Sequence, residues 1–117
     1  NELSFEKTTL PLAKKKGMGV IAMKTTGAGG LLSGNVAKLD DCLNYAWSLP
    51  ISTAILGCTT VEQVEADVRL ATAWEQLNDS RMSGLRKKYA EVDFAALEPW
   101  KVDQMKQAAA LPRYVGD

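Results

Sequence analysis

The sequence contains no histidine, and this absence excludes several common kinds of protein site. Among its 117 residues there are 0 His and 2 Cys, at Cys42 and Cys58. Without His, neither the Ser-His and Cys-His pairs of nucleophilic catalysis nor the usual zinc-binding spacings can be formed. Two isolated cysteines are also too few for a disulfide framework. We therefore expect two reduced thiols, no metal site and no nucleophilic centre of these kinds.

The sequence also lacks a net charge and a long apolar run. Lys plus Arg and Asp plus Glu number 14 each, so no overall field favours nucleic acid or an anionic membrane. No apolar run reaches the length of about 18 residues that a membrane span needs, and the first residues lack the pattern of a secretory signal. The sequence predicts a cytoplasmic protein that binds neither nucleic acid nor membrane.

Two short apolar runs, at residues 19–23 and 51–56, have the character of strands buried on both faces. A short helix at residues 10–16, with Thr9 as a possible cap, is predicted before the first run, and Gly57 ends the second. Between the runs, a helix is predicted by apolar residues at helical spacing. Those residues are Leu39, Cys42, Leu43, Ala46 and Trp47. Strand, helix and strand in this order predict a parallel crossover unit.

Two further helices are predicted after the second strand. Thr60 and Gln63 match a capping box, so a helix should begin between them. Its apolar face is formed by Val61, Val64, Val68, Ala71 and Trp74. A break at residues 78–80 precedes a predicted helix at residues 80–92, and the tail at residues 93–117 has a weaker pattern with a possible surface helix at 102–111. The predicted organisation is a main part at residues 1–92 followed by this tail.

Two strands do not make a self-sufficient parallel sheet, because parallel sheets are buried on both faces and need several members. A complete eight-stranded α/β barrel takes about 250 residues. The sequence also begins with Asn1 rather than Met. We therefore expect an α/β fold that is part of a larger structure, as a processed chain, a truncated chain or an excerpt.

The loops after the two predicted strands are the candidate ligand sites, because ligands of parallel α/β folds bind at the carboxyl ends of strands. Residues 24–30 offer Lys24, two threonines and glycines that allow backbone amides to approach a phosphate, although a flexible glycine connection explains them equally well. Residues 57–60 precede the capped helix, whose positive end favours a phosphate; the alternative is that Thr60 and Gln63 only cap it. Cys58 is interpreted as a small packing residue rather than as a reactive thiol activated by the helix start.

Two blocks of the sequence resemble the aldo-keto reductase family. Residues 16–24, Lys-Gly-Met-Gly-Val-Ile-Ala-Met-Lys, and residues 27–32, Gly-Ala-Gly-Gly-Leu-Leu, are similar to the seventh strand of that barrel and its following loop. Residues 45–57 and 62–67 are similar to the last crossover helix, the eighth strand and the NADP-binding helix. The resemblance implies the C-terminal fragment of a (β/α)8 TIM-type barrel that binds NADP at the carboxyl ends of its strands.

The resemblance also implies which residues contact the cofactor. They are Met23, Lys24, Thr26, Gly27, Gly29, Gly57, Thr59, Gln63 and Asp67. By the resemblance, Met23 faces the nicotinamide and Asp67 faces the adenine. The pyrophosphate is contacted by Lys24, Thr26, Gly27 and Gly29. The adenosine ribose and its phosphate are contacted by Gly57, Thr59 and Gln63. No Lys or Arg stands near the expected ribose phosphate, so the choice between NADP and NAD is left open.

The implied activity is NAD(P)H-dependent reduction of an aldehyde or ketone by the complete protein. The catalytic Asp, Tyr, Lys and His of the family come from earlier strands, so no catalytic residue is assigned here and the chain alone is expected to be inactive. One alternative is a non-catalytic half-barrel that binds a second copy or a complementary chain through its uncovered strand edges. Another is a truncated relic without activity.

Overall fold

The computed structural model describes residues 4–93. Along this part of the chain the elements are α1 (Thr9–Lys15), β1 (Ile21–Met23), α2 (Gly30–Ser33), α3 (Leu39–Trp47), β2 (Thr53–Ile55), α4 (Val61–Thr72) and α5 (Asp79–Lys88). The described part is a small mixed α/β unit with helices joined to a two-stranded sheet. The predicted helix at residues 102–111 lies outside the described residues.

β1 and β2 pair in parallel, which confirms the predicted crossover unit. Ile21 lies opposite Thr53 and Met23 lies opposite Ile55. Both strands are shorter than the predicted ranges of 19–23 and 51–56. At the start of the ladder the Val20 amide donates to the Ser52 hydroxyl at 3.0 Å, so a side chain replaces a backbone partner there and regular pairing begins one position later.

α3 supplies the centre of the core. Its predicted apolar stripe is confirmed, since Leu43 is 0% exposed and Ala46 is buried. α3 packs against both β2 and α5. The buried hydrophobic residues of the described part are Leu10, Ala13, Leu31, Leu43, Ala46, Leu77 and Met82. The fully buried residues of the described part therefore come from the helices and the segment before α5, and none comes from the strands.

A polar network centred on Tyr45 joins α3 to distant parts of the chain. The Tyr45 hydroxyl donates to the Glu6 carboxylate at 2.8 Å and accepts from Nε of Arg86 at 2.8 Å. Arg86 also forms an ion pair with Glu6 at 2.7 Å. Partial burial and the neighbouring Glu6 carboxylate raise the pKa of Tyr45 to about 12. The network therefore links the turn before α1, α3 and α5 through a phenol that stays protonated at neutral pH.

A second polar contact joins the start of α3 to the end of α5. The Asp41 carboxylate accepts hydrogen bonds from Lys88 and from the Tyr89 hydroxyl. Although partial burial opposes ionisation, these two bonds hold the pKa of Asp41 below its ordinary value. Asp41 also lies in the first turn of α3, where a negative charge interacts favourably with the helix dipole.

One face of the sheet is open. Ile21, Met23 and Ile55 are 64%, 62% and 55% exposed, whereas Ala22 and Ala54 on the other face are partly covered. Alternate residues of a strand point to opposite faces, so the exposed apolar residues share one surface. The three valines of the predicted apolar face of α4 are exposed as well. The pattern correctly predicted this helix, but the described part of the chain leaves its apolar face uncovered.

Three helix details differ from the sequence predictions. Thr9 was expected to cap α1 but lies inside it, because Thr8 holds the preceding position and donates its hydroxyl to the Ser4 carbonyl at 2.8 Å. The short helix α2 was not predicted. α5 begins after Asn78, whose side chain accepts from the Arg81 amide at 2.9 Å, and it ends at Lys88 rather than at residue 92.

Replacing Leu43 with Ala should destabilise the fold by about 2–4 kcal/mol, because the lost side chain is fully buried and leaves a cavity. Urea unfolding followed by circular dichroism measures this loss. The matched control is Leu12→Ala in α1, where the side chain is 52% exposed and the expected loss is below about 1 kcal/mol. Equal losses for the two variants would contradict the assignment of Leu43 to the core.

Candidate functional site

The two candidate loops leave the sheet at the same edge, the one formed by the carboxyl ends of both strands. Because β1 and β2 are parallel and Met23 lies opposite Ile55, the residues that follow them emerge side by side. Lys24 begins the first loop, and Gly57 lies in the second. This adjacency is the geometric requirement for one ligand to contact both loops.

The first loop is a series of tight turns. Lys24, Ala28 and two glycines have positive φ angles, with Gly27 at 61° and Gly29 at 87°. A Cβ added to Gly29 would meet no atom within 4 Å, so glycine is favoured there by the backbone angle rather than by a lack of space. The left-handed conformation turns the chain sharply from β1 into α2.

The glycine amides of this loop bond to carbonyls within the loop itself. The Gly27 amide donates to the Lys24 carbonyl at 2.9 Å, and the amides of Gly29 and Gly30 donate to carbonyls of the loop at 3.1 Å. A phosphate cradle would need such amides directed toward the ligand. In the observed conformation, an anion that binds these three amides would have to displace their internal bonds.

The second loop ends in the capping box that the sequence predicts. The Thr60 side chain accepts from the Gln63 amide at 3.3 Å. In return, Oε1 of Gln63 accepts from the amides of Thr59 at 2.7 Å and Thr60 at 3.3 Å. This arrangement supports the capping role of Thr60 and Gln63 and uses polar groups that the resemblance assigns to the cofactor.

Glu62 places a carboxylate at the same helix start. Hydrogen bonds from its own backbone amide and from the Thr60 hydroxyl hold the pKa of Glu62 below its ordinary value. A negative charge in the first turn of α4 is favourable for the helix dipole. The Glu62 carboxylate thus compensates the positive end of the α4 dipole.

Cys58 and Asp67 contact each other across the first turns of α4. The Cys58 thiol donates to Oδ2 of Asp67 at 3.2 Å. This hydrogen bond is the main cause that raises the pKa of Cys58 above its ordinary value. The geometry supports the interpretation of Cys58 as a packing residue rather than as an activated thiol, since a raised pKa disfavours the thiolate.

Only three of the nine predicted cofactor residues line either of two cavities. Met23 and Lys24 line a cavity of about 810 Å³ whose wall includes Tyr45 and Arg86. Asp67 lines a second cavity of about 510 Å³ between β2 and α4. The predicted residues that line neither of these two cavities are Thr26, Gly27, Gly29, Gly57, Thr59 and Gln63.

Two aromatic residues predicted to belong to the core lie beside the second cavity. Trp47 and Trp74 meet edge to face, with ring centroids 6.5 Å apart and an interplanar angle of 77°. Both are only partly buried. Their contact is typical of packing between aromatic rings, so they connect the end of α3 to the segment after α4.

Sequence reasoning did not identify the network of Glu6, Tyr45 and Arg86 that borders the larger cavity. Its members come from the turn before α1, from α3 and from α5. No local motif connects residues so far apart in sequence. The sequence pattern correctly placed Tyr45 on a helix, but its partners depend on the packing of three separate segments.

Within residues 4–93, no group of three or more His, Cys, Asp or Glu side chains could hold a metal ion. None of the helices in the same range is long and apolar enough to cross a membrane. Comparisons with protein-family models, with curated proteins and with solved structures give no match.

Replacing Asp67 with Ala should lower the pKa of Cys58, because the thiol loses both its hydrogen-bond acceptor and the adjacent negative charge. Alkylation by iodoacetamide at pH 8 should then be faster at Cys58. Mass spectrometry of the Cys58 peptide across a pH series measures both effects. The control is Glu65→Ala, which removes an exposed carboxylate from the same helix and should leave the alkylation rate of Cys58 unchanged. Equal alkylation rates in the two variants would contradict the hydrogen bond between Cys58 and Asp67.

Proposed function

We propose that this chain forms the C-terminal, cofactor-binding part of an NAD(P)-dependent aldo-keto reductase. In the complete barrel, the activity is reduction of an aldehyde or ketone to an alcohol. The main structural support is the parallel pairing of β1 with β2, which brings the loops after Met23 and Ile55 to one edge. Two adjacent strand ends are where a dinucleotide spans a parallel α/β fold.

The open face of the sheet supports the idea that further strands complete the fold. Ile21, Met23 and Ile55 form an apolar surface that the described residues leave exposed. In an eight-stranded barrel, inward-facing side chains of this kind fill the interior in layers. In our proposal, earlier strands of the barrel cover these residues and supply the catalytic groups.

Met23 and Lys24 are the residues of this chain best placed to hold the cofactor. Met23 ends β1 on the open face, where its flexible thioether can adapt to a flat nicotinamide ring. Lys24 begins the next loop with an exposed side chain and supplies a positive charge for the pyrophosphate. Met23 and Lys24 would orient the dinucleotide, and the hydride for the reduction would come from the bound NAD(P)H.

Tyr45 is not a suitable proton donor for the carbonyl oxygen. Tyr45 borders the cavity that Met23 lines, but its hydroxyl donates to Glu6 and its pKa is raised to about 12. Such a tyrosine is a structural link rather than an acid matched to neutral pH. We therefore assign dinucleotide binding to this chain and expect turnover only in the complete barrel.

Titration of NADH and NADPH fluorescence with the 117-residue chain tests the proposal. Weak binding is expected, and Lys24→Ala should weaken it by about tenfold because a charged contact to the pyrophosphate is lost. Lys16→Ala is the matched control: Lys16 follows the last residue of α1 and precedes β1, at the opposite end of the strand from Lys24, so its loss should not affect binding. Absence of binding at millimolar protein, or equal effects of the two variants, would count against the proposal.

The exposed face of the sheet also favours a second candidate function, assembly with another copy of the chain. An uncovered apolar surface next to unpaired strand edges is a typical site of association. In this alternative, Ile21 and Ile55 are buried between chains rather than inside a barrel.

If assembly uses this face, the purified chain should form dimers or larger species at about 100 µM, and Ile21→Gln should shift it toward monomer. Analytical ultracentrifugation measures the distribution. Leu12→Gln is the control, because Leu12 is similarly exposed but lies on α1. A wild-type chain that remains monomeric at this concentration, or a loss of association in both variants, argues against assembly through the sheet face.

A further inference from the structure

The two halves of α5 are attached to the rest of the chain in different ways. Met82, in the first half, is the one buried residue of this helix. Further along, Leu85 and Tyr89 are only partly buried, and the residues between them are exposed. Apolar burial therefore anchors the first half, whereas residues 85–90, which we call the flap, contain no fully buried side chain.

Two charged contacts hold the flap, one to the turn before α1 and one to α3. The Arg86 guanidinium forms an ion pair with Glu6 at 2.7 Å, and Lys88 forms an ion pair with Asp41. The two cationic side chains are 52% and 50% exposed. Ion pairs that reach solvent weaken as the salt concentration rises, because dissolved ions screen their attraction.

A glycine separates the buried anchor from the flap. Gly84 lies inside α5, and glycine has a lower helix propensity than any residue except proline. A Cβ added at this position would meet no atom within 4 Å, so close packing does not require glycine there. The intrinsic stability of the helix is therefore lowest between Met82 and Leu85, at the boundary of the two halves.

The flap forms part of the wall of the larger cavity. Leu85, Arg86, Tyr89 and Ala90 line this cavity of about 810 Å³, as does Cys42 of α3. The rest of the wall is mostly apolar and comes mainly from α1, β1 and α3. Movement of the flap away from α3 would therefore open an apolar interior to solvent.

From these contacts we infer that the flap is a salt-sensitive gate to the larger cavity, which opens by bending at Gly84 while α3 and the sheet stay folded. The inference is independent of the proposed cofactor role, since it concerns the contacts of α5 alone. Opening breaks the two ion pairs, and the buried Met82 keeps the first half of the helix in place. Local openings of this kind occur where few apolar contacts hold a segment.

Amide hydrogen exchange of the full 117-residue chain, followed by NMR, measures this opening. Arg86→Gln should accelerate exchange in the flap by about threefold, because one ion pair is lost. The matched control is Lys87→Gln, since Lys87 is adjacent but forms no ion pair within residues 4–93. Gly84→Ala should slow exchange in the flap, because alanine favours the helix. The amides of α3 serve as the internal reference and should not change.

Salt tests the ionic character of the contacts. Raising NaCl from about 0.05 M to about 1 M should accelerate exchange of the wild-type flap, since the screening length falls to about 3 Å. The double variant Arg86→Gln and Lys88→Gln should respond less to the same change, because both ion pairs are already absent.

Alkylation of Cys42 tests access to the cavity. Arg86→Gln should accelerate the reaction of Cys42 with iodoacetamide, although the loss of a nearby cation by itself raises a thiol pKa and slows the reaction. Cys58 does not line this cavity, so it is the internal control and should react at an unchanged rate.

Four results would overturn the gate. They are exchange of the wild-type flap that does not depend on salt, equal effects of Arg86→Gln and Lys87→Gln, equal exchange rates in the flap and α3, and no acceleration at Cys42 in a variant whose flap exchanges faster. The third result would mean that the flap opens only when the whole chain unfolds, and the fourth that its opening does not reach the cavity.

Discussion

The parallel pairing of β1 with β2 is the constraint on which the rest of the described structure depends. Parallel strands require a crossover between their ends, and α3 provides the return path while burying Leu43 against the sheet and α5. The same pairing places the loops that begin at Lys24 and contain Gly57 at a common edge. A change of register would therefore alter the core and the candidate site together.

Local signals in the sequence predicted the elements whose formation depends on neighbouring residues. The helical spacing around Leu43 correctly located α3, and Thr60 with Gln63 correctly located the start of α4. The predicted ranges of both strands were too long. At the start of β1, the Ser52 hydroxyl takes the place of a backbone acceptor for Val20. That contact joins residues distant in the chain, and no periodic pattern encodes it.

The sequence predicted that the two candidate loops lie side by side, because the carboxyl ends of neighbouring parallel strands meet. It also predicted the hydrogen bonds of the capping box, but not those within the first loop, which depend on exact backbone angles. Gly27 and Gly29 turn the first loop so that its amides bond internally, and Gln63 accepts from the amides at the start of α4. A ligand that binds these amides must compete with contacts that already satisfy them, which is an energetic cost of binding.

The open face of the sheet also has a chemical consequence. Among the described methionines, Met18 and Met23 are largely exposed, whereas Met82 is buried. Oxidation converts a methionine side chain to a polar sulfoxide, and accessible residues react most readily. At Met23 this change would put a polar group in the middle of an apolar surface, so the surface formed with Ile21 and Ile55 would become less favourable to bury.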